Sequence, residues 1–379
     1  MNIPEKATKE QTEAITQTEG NIRVASVPGS GKTSSALAVF SFLRANDLAD
    51  KVVMIGPKNA FGSWIDEFQA CFGEKLSLNY FNVQDSKYHS PGEKKFALKY
   101  ETANCNLFLF NYESVGSFID EIEHIVSNRA LLVFDEVHKV KAINGQRATH
   151  ALEVAKYASY TIAMTGTPIP NSYLDLYNML HILYNDEYKD FFGFDISYLR
   201  NPLPTEMEII NDRIQPFFCR TTKKELQVPD ANADILNNVS VREDEQKVFD
   251  IVCKKFRSNK LALFIRLLQL ESNPYMLLQA LDLSAFSSIL DIGDDIDAID
   301  FVDYSLEIKQ LINGMGITSK KKQCVYLTRD LVQQGKKVII WCIFKDSIKS
   351  IQEILEKMNI KAKYIMGEVE LDERNKLIN

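Results

Sequence analysis

The sequence predicts an α/β protein: a parallel sheet flanked by helices, then a helical subdomain, then the start of a second α/β lobe. Three observations carry this. Short β-rich apolar runs alternate with helical patterns through the first half of the chain. A glycine-rich segment separates one such strand from one such helix, and a later apolar strand ends in two adjacent acids.

The strands come first. Ile22 to Val27, Val52 to Gly56, Asn106 to Asn111, Ala130 to Asp135 and Thr161 to Thr165 are short, apolar and rich in β-branched or aromatic residues. Between them, segments such as Ser34 to Arg44 place Leu37, Phe40 and Leu43 at helical spacing, so each strand returns to the sheet through a crossover helix. This pattern fills residues 1–185. From Ser172 to about Gly316 the strand signal fades and helical patterns such as Glu245 to Phe256 and Leu261 to Leu270 dominate, which sets a helical subdomain at 186–315. Its aspartate-rich stretch Leu281 to Tyr304 lacks the glycine and terminal glutamate placement of a calcium loop and reads as a solvated acidic loop. The βα pattern then resumes over 316–379, with strands expected at Lys337 to Cys342 and Ala362 to Met366 around a helix carrying Ile348, Ile351, Ile354 and Leu355. Two strands are too few for a doubly wound sheet, so this last lobe reads as cut short.

Composition narrows the class. A chain of 379 residues is too long for one ordinary core. No run nears the roughly 18 apolar residues of a membrane helix, and Met1 to Gln11 is polar, so a cytoplasmic protein is expected, associated with the nucleoid in a prokaryotic setting. The six cysteines form no close pair, which argues against zinc and disulfides and for buried thiols. With 44 Lys and Arg against 51 Asp and Glu, the net charge of −7 excludes a protein that coats nucleic acid non-specifically, and any nucleic-acid footprint must be local. Nothing in the sequence indicates an oligomer.

Chemistry concentrates in two places. Ser26-Val27-Pro28-Gly29-Ser30-Gly31-Lys32-Thr33, with Ser34 beyond it, lies between a strand and a helix, where a phosphate-binding loop must sit. Glycines at 29 and 31 let successive N–H groups converge on an anion, and the helix N-terminus adds the positive end of its dipole. Lys32 would reach the β and γ phosphates and the Thr33 hydroxyl a Mg²⁺ ion. Ser26 stands where the usual pattern opens with glycine. The second place is Asp135-Glu136-Val137-His138 at the carboxyl end of its strand, the edge at which open α/β sheets bind ligands. Asp135 would hold the metal and Glu136 would orient and deprotonate a water.

Asp-Glu-x-His after a phosphate loop resembles the core of superfamily-two helicases, and the surrounding residues resemble its Swi/Snf branch. Pro57, Trp64 and Glu67-Phe68 sit as in that branch's first nucleic-acid motif; Phe110-Asn111-Tyr112-Glu113 resembles its next strand-end motif, and Lys139-Val140-Lys141 its basic tail. Met164-Thr165-Gly166-Thr167-Pro168-Ile169-Pro170-Asn171, followed by Asp175-Leu176-Tyr177, is similar to the branch's Leu-Thr-Gly-Thr-Pro segment. Pro216 to Lys223, Asn273-Pro274, Val338 to Cys342, and Gly367 with Arg374 extend the likeness nearly end to end.

The resemblance implies a RecA-like fold of the phosphate-loop NTPase class, ATP and Mg²⁺ as cofactors, and double-stranded DNA as partner. It places Gln11, by its residue type alone an ordinary solvated position, at adenine. It makes His138, Thr165 and Thr167 a coupling element between nucleotide and DNA, although the residues themselves show only a polar turn after a strand and a histidine that could be structural. It sets Lys58, Asn59, Tyr112, Lys139 and Lys141 along the DNA track; Trp64 reads as core. The expected activity is ATP-driven movement on duplex DNA, with a strand-separating DNA or RNA helicase and a non-catalytic, nucleotide-gated binding module as alternatives. The second-lobe arginines that would reach the γ-phosphate are missing, a contribution of about 10³ to 10⁵ in turnover, so weak hydrolysis is expected. The pathway served stays open.

Overall fold

In a computed structural model the described residues are 31–167, 169, 171–185, 188–215, 232–279 and 306–366, with the backbone alone of 22–26 and 219–221. The chain divides into two compact units, Met1–Ala231 and Asn232–Asn379. The helices Tyr188–Phe191, Ile196–Arg200 and Pro204–Ile214 belong to the first. Tyr188, Phe192, Phe194, Leu199, Ile210 and Ile214 join that unit's core, so the compact unit runs past the break expected at residue 185.

The first unit is a parallel sheet of seven strands: β1 (Ile22–Ser26), β2 (Lys51–Gly56), β3 (Tyr80–Asn82), β4 (Leu107–Asn111), β5 (Ala130–Asp135), β6 (Tyr160–Thr165) and β7 (Cys219–Thr221), in the order β3-β4-β2-β5-β6-β1-β7. The five strands expected from sequence form the middle; β3 and β7, three residues each, add an edge on either side. β4 and β5 are buried at every residue, as a sheet covered on both faces requires. Helix α1 (Lys32–Ala45) buries Leu37, Phe40 and Leu43 as the spacing predicts, and α2 (Phe61–Phe72) buries Phe61, Trp64 and Phe68, one stripe at positions i, i+3 and i+7. The remaining cover includes α3 (Pro91–Tyr100), whose Ser90 cap accepts from Glu93 N at 3.2 Å, with α4 (Ile119–Val126), α5 (Gln146–Ala155) and α6 (Leu176–Leu183).

Leu132 sits at the centre of β5 with no exposed surface. Leu132→Ala is expected to destabilise the sheet by about 2–5 kcal/mol, read as a lower urea midpoint of the transition that carries the first unit. An unchanged midpoint would place this side chain outside the core.

The second unit holds α7 (Glu243–Lys255), α8 (Lys260–Ser272), α9 (Leu306–Gly314), α10 (Ser319–Gln333) and α11 (Lys345–Lys357). Val248, Val252, Ile265, Leu277 and Ile312 make one small core, and Val325, Ile351 and Leu355 another. Here the sequence reading needs correction. Residues 337–342 and 362–366 are not strands: neither makes a ladder, and Ile339 and Trp341 are 79% and 90% exposed. Apolar alternation gives a segment the capacity to pair, but a strand exists only where a neighbour accepts its hydrogen bonds, and among the described residues no ladder includes either of these two. The thiols also differ from expectation, since Cys71 is exposed and Cys105, Cys253, Cys324 and Cys342 are partly so. No helix among the described residues is long and apolar enough to cross a membrane.

Candidate nucleotide site

The parallel register brings the carboxyl ends of the strands to one edge. Gly56 pairs with Asn111, Ile55 with Phe134, Asp135 with Met164 and Ala25 with Thr165. The turns that follow β2, β4, β5 and β6 therefore share that edge, together with the start of α1, which follows β1. Gly31 opens α1 in the left-handed region at φ 80°, where a side chain would be strained. Lys32, Thr33 and Ser34 occupy the first turn behind it. Gln11, Pro28, Gly29 and Ser30, together with Val27, lie outside the described residues, as do Pro168, Pro170, Pro216 to Phe218, Thr222 and Lys223, the stretch Leu281 to Tyr304, and Gly367 and Arg374.

Glu136 is the hub. It follows β5 at φ 52°, ψ 51°, a left-handed conformation that costs a non-glycine residue about 1–2 kcal/mol. This backbone turn aims its carboxylate back across the sheet edge. One oxygen lies 4.0 Å from Lys32 Nζ and the other 3.2 Å from His138 Nδ1. The bond from His138, aided by the Lys32 charge and the Gly166 N–H, overcomes the upward push of burial and holds the Glu136 carboxyl below its usual range, so it is an anion ready to accept a proton. His138 Nδ1 also meets Thr165 Oγ1 at 3.0 Å and Thr167 Oγ1 at 3.5 Å, while Thr167 N donates to Thr165 Oγ1 at 3.0 Å. Because Glu136 can only accept, the proton at this junction belongs on Nδ1. The three residues expected to couple two sites thus form one bonded chain that starts at Glu136.

Asp135 is held differently. It is 7% exposed, and burial pushes its carboxyl up, opposed first by a hydrogen bond that Trp64 Nε1 donates to Oδ2 at 3.1 Å, with the neighbouring Glu136 charge raising it and Lys32 lowering it. Its carbonyl accepts the Tyr112 hydroxyl at 2.8 Å. This corrects the reading of Tyr112 as a DNA contact: the ring is 1% exposed, burial pushes its phenol well up, and its hydroxyl is spent on the backbone of Asp135. Trp64 is core as expected, and also more than core. The sequence held one signal for it, since a buried indole N–H needs an acceptor.

The donor set suits a magnesium nucleotide. Among the described residues no three His, Cys, Asp or Glu side chains gather as a self-sufficient metal cage. One ionisable oxygen donor at Asp135 and a hydroxyl at Thr33 match Mg²⁺, which keeps waters and takes its remaining ligands from phosphates. Of the expected DNA-facing residues, Lys58 and Asn59 lie exposed on the turn after β2, Lys139 is exposed on the turn Val137–Val140, and Lys141 is half-buried.

A family model for the SNF2-related domain matches residues 19–288. The Caenorhabditis elegans SWI/SNF-related matrix-associated actin-dependent regulator of chromatin subfamily A containing DEAD/H box 1 homolog is 21% identical over 252 residues, covering 61% of this chain and 25% of that protein. The Mus musculus DNA excision repair protein ERCC-6-like is 25% identical over 275 residues, 67% of this chain and 21% of its own length. The chain thus spans about a quarter or less of these relatives. A Sulfolobus solfataricus SWI2/SNF2 ATPase core in complex with dsDNA aligns with all of this chain and 75% of its own at 19% identity, with a TM-score of 0.47, too loose to place side chains.

Proposed function

The chain belongs to the family of SNF2-related domains, and from that premise we propose that its first unit is the nucleotide-hydrolysing lobe of a motor that moves along double-stranded DNA. The observation that carries this reading is the chain of contacts Lys32–Glu136–His138–Thr165, which joins the phosphate-loop lysine to a turn at the next strand end. Lys32 would bind the terminal phosphates. Thr33 and Asp135 would hold Mg²⁺, which would neutralise charge on the phosphates. Glu136, kept anionic by its neighbours, would orient a water and take its proton. Any movement of the Thr165–Thr167 turn is felt at His138 and so at Glu136, which gives DNA engagement a route to the base.

Lys58, Asn59, Lys139 and Lys141 would grip phosphates. Their turns follow β2 and β5, which are paired in parallel, and so leave the same edge of the sheet. Backbone contacts of this kind carry no base sequence and weaken with salt. The test is ATP turnover and DNA binding with linear duplexes across salt concentrations. Stimulation should be indifferent to sequence, and the Lys58→Ala, Lys139→Ala double variant should flatten the log–log salt slope by about 2, close to one unit per phosphate contact. Absence of Mg²⁺-ATP uptake would remove the motor reading. Uptake and duplex binding left unchanged in every activity by Glu136→Gln would leave a nucleotide-gated module, and stimulation by single strands alone would point to a strand-separating enzyme.

A further inference from the structure

Residues that resemble a nucleic-acid motif divide, in space, into two groups. Lys58 and Asn59 face solvent, whereas Trp64 and Glu67, on the helix that follows, turn inward to the nucleotide site. Trp64 Nε1 donates to the Asp135 carboxylate at 3.1 Å, and Glu67, one turn later, accepts from Ser34 Oγ at 2.9 Å, beside Thr33. One helix therefore bonds Asp135 directly and, through Glu67, the residue that follows Thr33.

The indole is not there for bulk alone. Helix α2 already packs Phe68 and Phe72 against Phe40, and Trp64 is 0% exposed, so an apolar ring would fill the space without bringing a donor that needs a partner. The polar atom of its ring donates to Asp135, a buried carboxylate of the sheet edge. Gly56 also approaches Asp135 closely: a Cβ added there would come within 3.0 Å of Asp135 Cβ and 3.4 Å of its carbonyl oxygen. Tyr112 fixes the Asp135 carbonyl. With backbone and Cβ confined, the remaining freedom of Asp135 is rotation of its carboxylate, and Trp64 is the side chain bonded to it.

We propose that Trp64 is a positioning residue whose indole N–H holds the Asp135 carboxylate in the orientation that receives Mg²⁺. This rests on the assignment of Asp135 as the magnesium residue. Partners of metal ligands typically contribute 10- to 100-fold in metal affinity, roughly, when removed.

The experiment titrates Mg²⁺ into the full chain with a fluorescent ATP analogue, and measures nucleotide affinity in excess chelator separately. Wild type must first show tighter nucleotide binding with Mg²⁺ than without. Failure there would count against the nucleotide assignment itself, not against Trp64. Trp64→Phe should raise the Mg²⁺ concentration needed for half-maximal effect by about tenfold, with chelator-state affinity unchanged. Phe68→Leu, which shortens a neighbouring core side chain without a polar partner, should lower thermal stability and leave the Mg²⁺ response alone. Should Trp64→Phe not fold, 3-benzothienylalanine at position 64 replaces the N–H with sulfur at nearly constant volume and should give the same tenfold shift. An unshifted Mg²⁺ response in either folded variant overturns the proposal.

Discussion

Glu136→Gln is expected to lower ATP turnover by about 10²- to 10⁴-fold while nucleotide affinity stays within about twofold, because the change removes a proton acceptor and leaves the shape. Glutamine keeps an oxygen for His138 Nδ1 and fits the same left-handed backbone position. What it loses is the anion that Lys32 and His138 stabilise, and with it the capacity to take a proton from water. The base matters to the transition state and hardly at all to the bound ground state, so the loss belongs in turnover. Single-turnover phosphate release beside calorimetry with Mg²⁺-ATP separates the two. Turnover within tenfold of wild type would remove Glu136 as the base and hand its contacts a purely structural meaning.

The same residues show what a sequence discloses. Asp135 and Glu136 were legible because they are adjacent and follow an apolar strand, so neighbourhood and sheet edge are both written locally. The central strands were legible because a strand buried on both faces must be largely apolar, as β4 is up to Asn111 and β5 up to Asp135. Tyr80–Asn82 and Cys219–Thr221 were missed because three residues carry no periodicity, and their pairing is decided by the strand beside them. The converse error came at 337–342, where the pattern was present and the partner was not. Tyr112 misled because its motif position says which strand end it occupies and nothing about which way the ring turns. Trp64 and Asp135 stand 71 positions apart. Only the fold could show that the indole's hydrogen-bond partner was that carboxylate. The His138–Thr165 contact came from family resemblance alone, and at 3.0 Å the fold supplies the bond that the resemblance could only imply.

Lys32→Ala should fail one step earlier than Glu136→Gln. On the proposed reading the ammonium at the first turn of α1 would be the positive charge offered to a polyanion, and hydrogen bonds to charged groups contribute roughly 1.5–3 kcal/mol each. Losing contacts to two phosphates therefore predicts an affinity for Mg²⁺-ATP lower by about two orders of magnitude or more, with turnover falling further. A second effect compounds the first. Lys32 lowers the Glu136 and Asp135 carboxyls together, so its removal leaves two neighbouring acids with less compensation, and both shift upward toward protonation. The substitution that empties the site thus also removes the positive charge beside both acids. Calorimetry with a slowly hydrolysed analogue reads the affinity directly, free of any change in chemistry. If Lys32→Ala bound that analogue as wild type does, the 4.0 Å approach of Lys32 to Glu136 would be a structural ion pair alone and the phosphate loop would have to lie elsewhere. A variant that binds without turnover at Glu136 and one that does not bind at Lys32 are together what a shared magnesium nucleotide between these two side chains requires.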